Sequence, residues 1–298
     1  MTPPFLTPVV ANMLFSCMFW CMFWAAPVWA GTPDGEEMAS RPPLVMALAS
    51  APTTLDSRFA TGASASRIAD LLSRPLVELD TSFQPQPAAA KNFTWVNDTT
   101  LDFTLKKMAF VDGQPLTAKA VKRFYENMKN PQTVSPYKGQ LKPIKRIEVL
   151  GKRKIRFVFG APTPFIWPLF SHPIMRPDAG LDGADSATRP VGLGPYRVTA
   201  GSTLEDLTLE QALEHSHAWQ GKEPASPRLR FKTVQDPLVR LLKVQEGEAH
   251  LLQNDMPAVF YHHAKKQAQQ QRTLKTMSAP STNYTYLGFN LADGVTDK

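Results

Sequence analysis

An α/β fold follows from three stretches of the sequence. Residues 99–105 alternate, with Leu101, Phe103 and Leu105 on one face and Thr100, Asp102 and Thr104 on the other, which predicts a half-buried strand. Asp112-Gly113 then turns the chain, and Thr117 is placed to cap a helix whose apolar positions Val121, Phe124 and Met128 recur at i, i+3 and i+7. The apolar run 44–49 predicts a buried strand that runs out into Ser50-Ala51-Pro52-Thr53-Thr54. A chain of 298 residues has room for about two domains at roughly 150 residues each.

The first 30 residues carry no charged side chain, and 13–28 are almost continuously apolar. That run predicts a secretory signal ending in Val28-Trp29-Ala30, although the positively charged start of such signals is missing. An uncleaved anchor is the alternative, because the run approaches the ~20 residues that cross a bilayer. Cys17 and Cys21 both lie in this leader. A chain beginning at Gly31 therefore has no thiol, which excludes disulfides, thiolate catalysis and cysteine metal sites from it and suits an oxidising compartment.

Residues 31–43 are polar and contain Pro and Gly, a flexible lead-in. After the strand 44–49, Ser64 or Ser66 begins a helix through Leu72, and residues 75–80 predict the next strand. Residues 144–150 and 155–159 pair as a hairpin around Gly151-Lys152. A long irregular connection follows through Pro173, Pro177 and the Gly/Asp-rich run 180–185. Pro190-Val191-Gly192-Leu193-Gly194-Pro195-Tyr196 is a tight backbone re-entry in which glycine is needed for the turn. Residues 204–209 alternate, 229–234 form a strand, and Asp236 opens a helix bearing Val239, Leu242 and Val244. Residues 247–252 and 286–290 complete the series.

Charge and histidines limit the function classes. The net charge of +7 is scattered, with short clusters at 142–146 and 152–154 that have no aromatic residues between them, so no nucleic-acid platform is predicted. His215 and His217 lie two apart and His262 and His263 are adjacent, but neither pair has a third ligand at a recognisable spacing. No metal site and no cofactor are expected. A Gly-x-Ser-x-Gly elbow is missing as well, which leaves the His pairs as the only support for an enzyme.

The stretch from Asp98 and Thr99 through Phe103-Thr104-Leu105-Lys106, Phe110, Asp112-Gly113 and Leu116-Thr117-Ala118 to Val121 resembles the signature region of the family 5 extracellular solute-binding proteins, the peptide and nickel receptors of bacterial ABC importers. Further similarities lie in Pro87-Ala88-Ala89-Ala90, Pro162, the 190–196 motif with Leu193 where Thr is usual, Trp219-Gln220-Gly221, and Gly247-Glu248-Ala249-His250 with His250 where Asp is usual.

The resemblance implies a type II periplasmic-binding-protein-like lobe with a small inserted α+β subdomain. The divisions it implies are a signal peptide at 1–30, the lead-in 31–43, a main lobe from 44–80 and 188–292, the insert 81–187, and 293–298 as the start of a crossing to a second lobe that is absent. A lobe without its partner would keep about half the ligand contacts, which moves a micromolar affinity of about −8 kcal/mol toward the millimolar range. The resemblance also implies a periplasmic receptor that captures peptides for ABC importer permease subunits. A nickel or other small-solute receptor, or an exported interaction or regulatory protein reusing the lobe, are the alternatives, and an anchored location applies if the leader is retained. Ser50, Thr53, Thr54, Tyr284 and Tyr286 are the expected cleft residues, with core packing as the other reading of both tyrosines; the other reading of the 50–56 loop is that Pro52 and Thr53 turn the chain and Asp56 caps a short helix.

Overall fold

The computed structural model describes residues 41–180, 185–212, 224, 226–252, 256–270 and 274–277. The leader, the segment 213–223 with His215 and His217, and the segment 278–298 with Tyr284 and Tyr286 lie outside the described residues.

The chain enters as strand β1 (Leu44–Leu48) and, after the 49–62 loop, forms helix α1 (Ala63–Leu72). Neither Ser64 nor Ser66 caps this helix. Gly62 is the extended N-cap, its carbonyl accepts the Ser66 N–H at 2.9 Å, and Ser66 Oγ is turned back to the Ala60 carbonyl at 3.2 Å. Ser64, Ala65, Ile68, Ala69 and Leu72 form its buried stripe. Strands β2 (Val77–Leu79) and β3 (Pro85–Pro87) pair as a small hairpin closed by Asp80, whose carboxylate accepts the N–H groups of Ser82 and Gln84.

A second unit follows without interruption. Strands β4 (Ala90–Asn97), β5 (Thr100–Leu105), β6 (Ile144–Gly151) and β7 (Lys154–Phe159) build an antiparallel sheet in the order β4-β5-β7-β6. Between β5 and β6 lie the turn, with Gly113 at φ 82°, and helix α2 (Ala118–Lys129). Thr117 Oγ1 accepts the Ala120 N–H at 3.1 Å, and Val121, Phe124 and Met128 are fully buried, as the spacing predicts. Tyr125 is equally buried, so the apolar stripe is wider than the periodicity alone indicates. Helix α2 and the short helix α3 (Trp167–Phe170) close an aromatic cluster, with Phe170 4.8 Å from both Phe103 and Phe157 between ring centroids.

Strand β5 departs from its half-buried expectation. Its apolar face is buried, but Thr100 and Asp102 on the other face are only 8% and 7% exposed. The reason is position: β5 lies between β4 and β7, and Arg156 reaches across to Asp102 with bonds of 2.7 and 3.0 Å while Lys154 Nζ stands at 3.3 Å. The Arg156 guanidinium holds the Asp102 carboxyl below the usual carboxylate range.

The chain then builds the five-stranded sheet around β1. Strands β8 (Tyr196–Val198), β9 (Asp206–Gln211), β10 (Arg228–Thr233) and β11 (Leu251–Leu252) give the order β11-β1-β10-β9-β8. β1 is parallel to both β10 and β11, and β9 is antiparallel to β10 and β8. Helix α4 (Pro237–Gln245) connects β10 to β11, with Asp236 Oδ1 capping the Val239 N–H at 2.8 Å, and helix α5 (Ala258–Gln270) packs beside it. Burial in α4 falls on Leu241 and Arg240, while Val239 and Leu242 are 41% and 43% exposed. A single buried cluster runs from Leu48 and Phe231 in the five-stranded sheet to Phe103 and Phe157 in the four-stranded one.

The 190–196 segment needs its glycines for a different reason from a turn. Neither Gly192 nor Gly194 has positive φ. Instead a Cβ on Gly192 would stand 2.0 Å from the Leu72 carbonyl oxygen, and one on Gly194 would stand 2.3 Å from that of Leu71. The segment is pressed against the C-terminal end of α1, and the Gly194 N–H donates to the Leu72 carbonyl at 2.9 Å. Leu193 is core, and its N–H donates to Ser73 Oγ at 3.0 Å.

Candidate functional site

In an open sheet with parallel strands, loops at the carboxyl ends form the natural crevice for a ligand. β1, β10 and β11 bring their carboxyl ends to one edge, and the Val234 N–H following β10 donates to the Leu48 carbonyl at the end of β1 at 2.8 Å.

The loop after β1 carries three of the expected cleft residues, and the fold separates them. Ser50 and Thr53 are exposed and line a surface cavity of about 320 Å³ with Ala49, Ala51, Pro52 and the start of α1. Thr54 is only 8% exposed; its Oγ1 accepts the Asp56 N–H at 3.1 Å and donates to the Ala187 carbonyl at 3.4 Å. Two hydroxyls thus face the cavity and the third ties the loop to the frame. The opposite wall is the first turn of α1, where Gly62 supplies no side-chain cap and Ala63, Ser64 and Ala65 are small. First-turn N–H groups of a helix have no intrahelical partner, and the helix dipole makes that end favourable to carbonyl or carboxylate oxygen.

Below the loop lies a buried charge pair. Arg58 Nε donates to both oxygens of Asp56 at 2.9 and 3.1 Å, and Ser186 Oγ donates to Asp56 Oδ2 at 3.0 Å. Arg58 also donates to Asn127 Oδ1 in α2, and its carbonyl accepts Ser135 Oγ at 2.7 Å. This network fixes the floor of the loop to both the helix and the segment around Ser186. Asp56 caps no helix; it binds its neighbour two residues on. The sequence contains no signal for this, because Arg58 and Ser186 are 128 positions apart.

Thr233 was equally hidden from sequence reasoning. At the carboxyl end of β10, beside Leu48, its Oγ1 is buried and has no hydrogen-bond partner among the described residues. No group of three His, Cys, Asp or Glu side chains among the described residues is placed to hold a metal ion. His262 and His263 are exposed on α5. Among the same residues no helix is long and apolar enough to cross a membrane.

Comparison with known proteins agrees with this architecture. The family described as bacterial extracellular solute-binding proteins, family 5 Middle, matches residues 84–298. The periplasmic oligopeptide-binding protein OppA of Salmonella typhimurium is 22% identical over 262 residues, which cover 80% of this chain and 48% of that protein. The glutathione-binding protein GsiB of Pectobacterium atrosepticum is 24% identical over 274 residues, covering 90% of this chain and 50% of that protein. The solved structure of Burkholderia pseudomallei OppA superposes with a TM-score of 0.66 at 18% identity, over 76% of this chain and 49% of that one, and so shares its fold. The chain spans about half the length of the curated relatives it matches.

Proposed function

The chain belongs to the bacterial extracellular solute-binding proteins of family 5, and we propose that it supplies the peptide-binding crevice of a receptor serving an ABC importer. The family is one of receptors that bind solutes without transforming them. One observation carries the peptide reading: the crevice wall at the carboxyl edge of β1 is made of backbone, two free hydroxyls and an uncapped helix start, with alanines between them. Such a wall addresses the repeating N–H and C=O groups of a peptide and leaves its side chains unread. OppA and GsiB, whose names record oligopeptide and glutathione binding, support the same class.

Within this reading, Ser50 and Thr53 contact the ligand backbone, Thr54 holds the loop, and Tyr284 and Tyr286 are assigned to the crevice face. The main lobe comprises 44–80 and 188–292 and the inserted subdomain 81–187. That division is supported by the sheets: the five-stranded sheet takes its strands only from 44–48, 196–211, 228–233 and 251–252 and the four-stranded sheet only from 90–159, while the β2–β3 hairpin joins the two parts. Delivery to permease subunits from the periplasm completes the proposal.

The test is ligand-detected NMR of the chain with tri- and tetrapeptides, glutathione and a nickel–histidine complex. Peptides are expected to give a saturable signal that the other solutes do not. Ser50→Ala with Thr53→Val should abolish that signal. Binding of nickel–histidine with no response to peptides would overturn the peptide assignment.

A further inference from the structure

One end of the four-stranded sheet gathers cations from places far apart in the sequence. The β6–β7 turn, Lys152-Arg153, is tied to β5 by the Leu105 N–H, which donates to the Arg153 carbonyl at 2.8 Å. The same turn is tied to α2 by the Ala118 N–H, which donates to the Lys152 carbonyl at 2.9 Å. Lys106 and Lys107 directly follow Leu105, and Lys119 directly follows Ala118. The Lys106 N–H donates to the Ala89 carbonyl at 2.9 Å, which brings Lys91 at the start of β4 to this end as well. All of these side chains are exposed.

Carboxylates do not neutralise the cluster. Asp102 is taken by Arg156 and Lys154, and Asp112 by Arg176. Among the described residues no carboxylate lies within ion-pairing distance of Lys91, Lys107, Lys119, Lys152 or Arg153. The end of β6 that leads into the Lys152-Arg153 turn also presents two aliphatic side chains to solvent: Val149 and Leu150 are 44% and 43% exposed.

We propose that this end of the molecule docks on an anionic lipid bilayer, with the cations in the headgroup layer and Val149 and Leu150 at its apolar boundary. A set of exposed cations with no pocket among them suits a broad surface better than a small solute, which needs a concavity. Charge alone would equally suit an acidic protein segment; the aliphatic pair beside the cations is what selects the lipid interface. The docking is independent of which solute the crevice holds, and it would fix how the receptor lies against the membrane.

The experiment is co-sedimentation of the full chain with vesicles of pure phosphatidylcholine and of phosphatidylcholine mixed with phosphatidylglycerol, at low and raised salt. Residues 1–30 carry no charged side chain, so adsorption through them is common to both vesicle types. The chain should prefer the anionic vesicles, and salt should erase that preference. Neutralising Lys107→Gln, Lys152→Gln and Arg153→Gln together should lower anionic-vesicle affinity on the order of 100-fold, at roughly five-fold per cation. Val149→Ser with Leu150→Ser should weaken binding while keeping the lipid preference. Equal binding to both vesicles, or an unchanged preference in the triple variant, would overturn the proposal. So would displacement by soluble polyglutamate with no effect of the Val149 and Leu150 changes, which would assign the patch to an acidic protein.

Discussion

His250 and Val45 exchange hydrogen bonds through one side chain: the His250 N–H donates to the Val45 carbonyl at 2.8 Å, and His250 Nδ1 accepts the Val45 N–H at 2.9 Å. A side chain thus completes the pairing of β1 with the start of β11, where backbone alone would leave the Val45 donor unmet. The family usually places Asp at this position, and the imidazole nitrogen keeps the acceptor that a carboxylate would supply. His250→Ala is expected to cost about 1 kcal/mol, the net worth of one such bond, and His250→Asp to recover most of it. Urea unfolding of the three proteins measures this, and equal midpoints for all three would refute the assignment.

The Gly194 position admits no Cβ, because the Leu71 carbonyl oxygen would lie 2.3 Å away and the Leu72 carbonyl carbon 2.5 Å away. Gly194→Ala should therefore destabilise the protein by about 2–4 kcal/mol or prevent its folding, in line with overpacking against backbone that cannot yield. Gly139→Ala is the comparison, since nothing lies within 4 Å of its added Cβ. Thermal unfolding should separate the two variants clearly.

Breaking the buried pair of Asp56 and Arg58 leaves one charge without its partner. Side-chain exposures of 2% and 6% place both in a low-dielectric setting. Asp56→Ala or Arg58→Ala is expected to cost about 3–5 kcal/mol, and the double variant much less than the sum. A double-mutant cycle in denaturant reads the coupling, and strict additivity would show that the pair does not act as a unit.

Stability should fall with acid through His172. Its ring packs at a 55° tilt against Tyr137 with 4.3 Å between centroids, its Nε2 lies 3.2 Å from Gln140 Oε1, and burial pushes its pKa down from 6.5 to about 4. Between those values the unfolded chain binds a proton that the folded chain does not, so stability is fully present above pH 6.5 and is lost as pH falls toward 4. The contribution is on the order of 1–3 kcal/mol. His172→Gln should flatten that part of the stability–pH curve, measured as the difference between the two proteins; superimposable curves would exclude the residue.

Much of the frame was legible because it is encoded locally. Thr117 as a cap, Gly113 as a turn and the Val121, Phe124, Met128 spacing depend on neighbours within a turn or two, so periodicity and capping chemistry predict them. The family signature is local in the same sense, lying in short runs whose residue types match one by one.

What only the tertiary structure decided depends on residues distant along the chain. Burial of Asp102 follows from a strand 54 positions away, and the need for Gly192 and Gly194 from contact with α1 rather than from their own dihedral angles. The separation of Thr54 from Ser50 and Thr53 rests on a carbonyl 133 positions distant. Sequence determined most of the strands and helices and the family they belong to, although strand β4 was not among those it predicted. Tertiary structure decided which polar groups meet, because hydrogen bonds and charges act over a few ångströms of space and are indifferent to distance along the chain. The cations at 106–107, 119 and 152–153 read as separate solvated residues until the sheet brings them to one end.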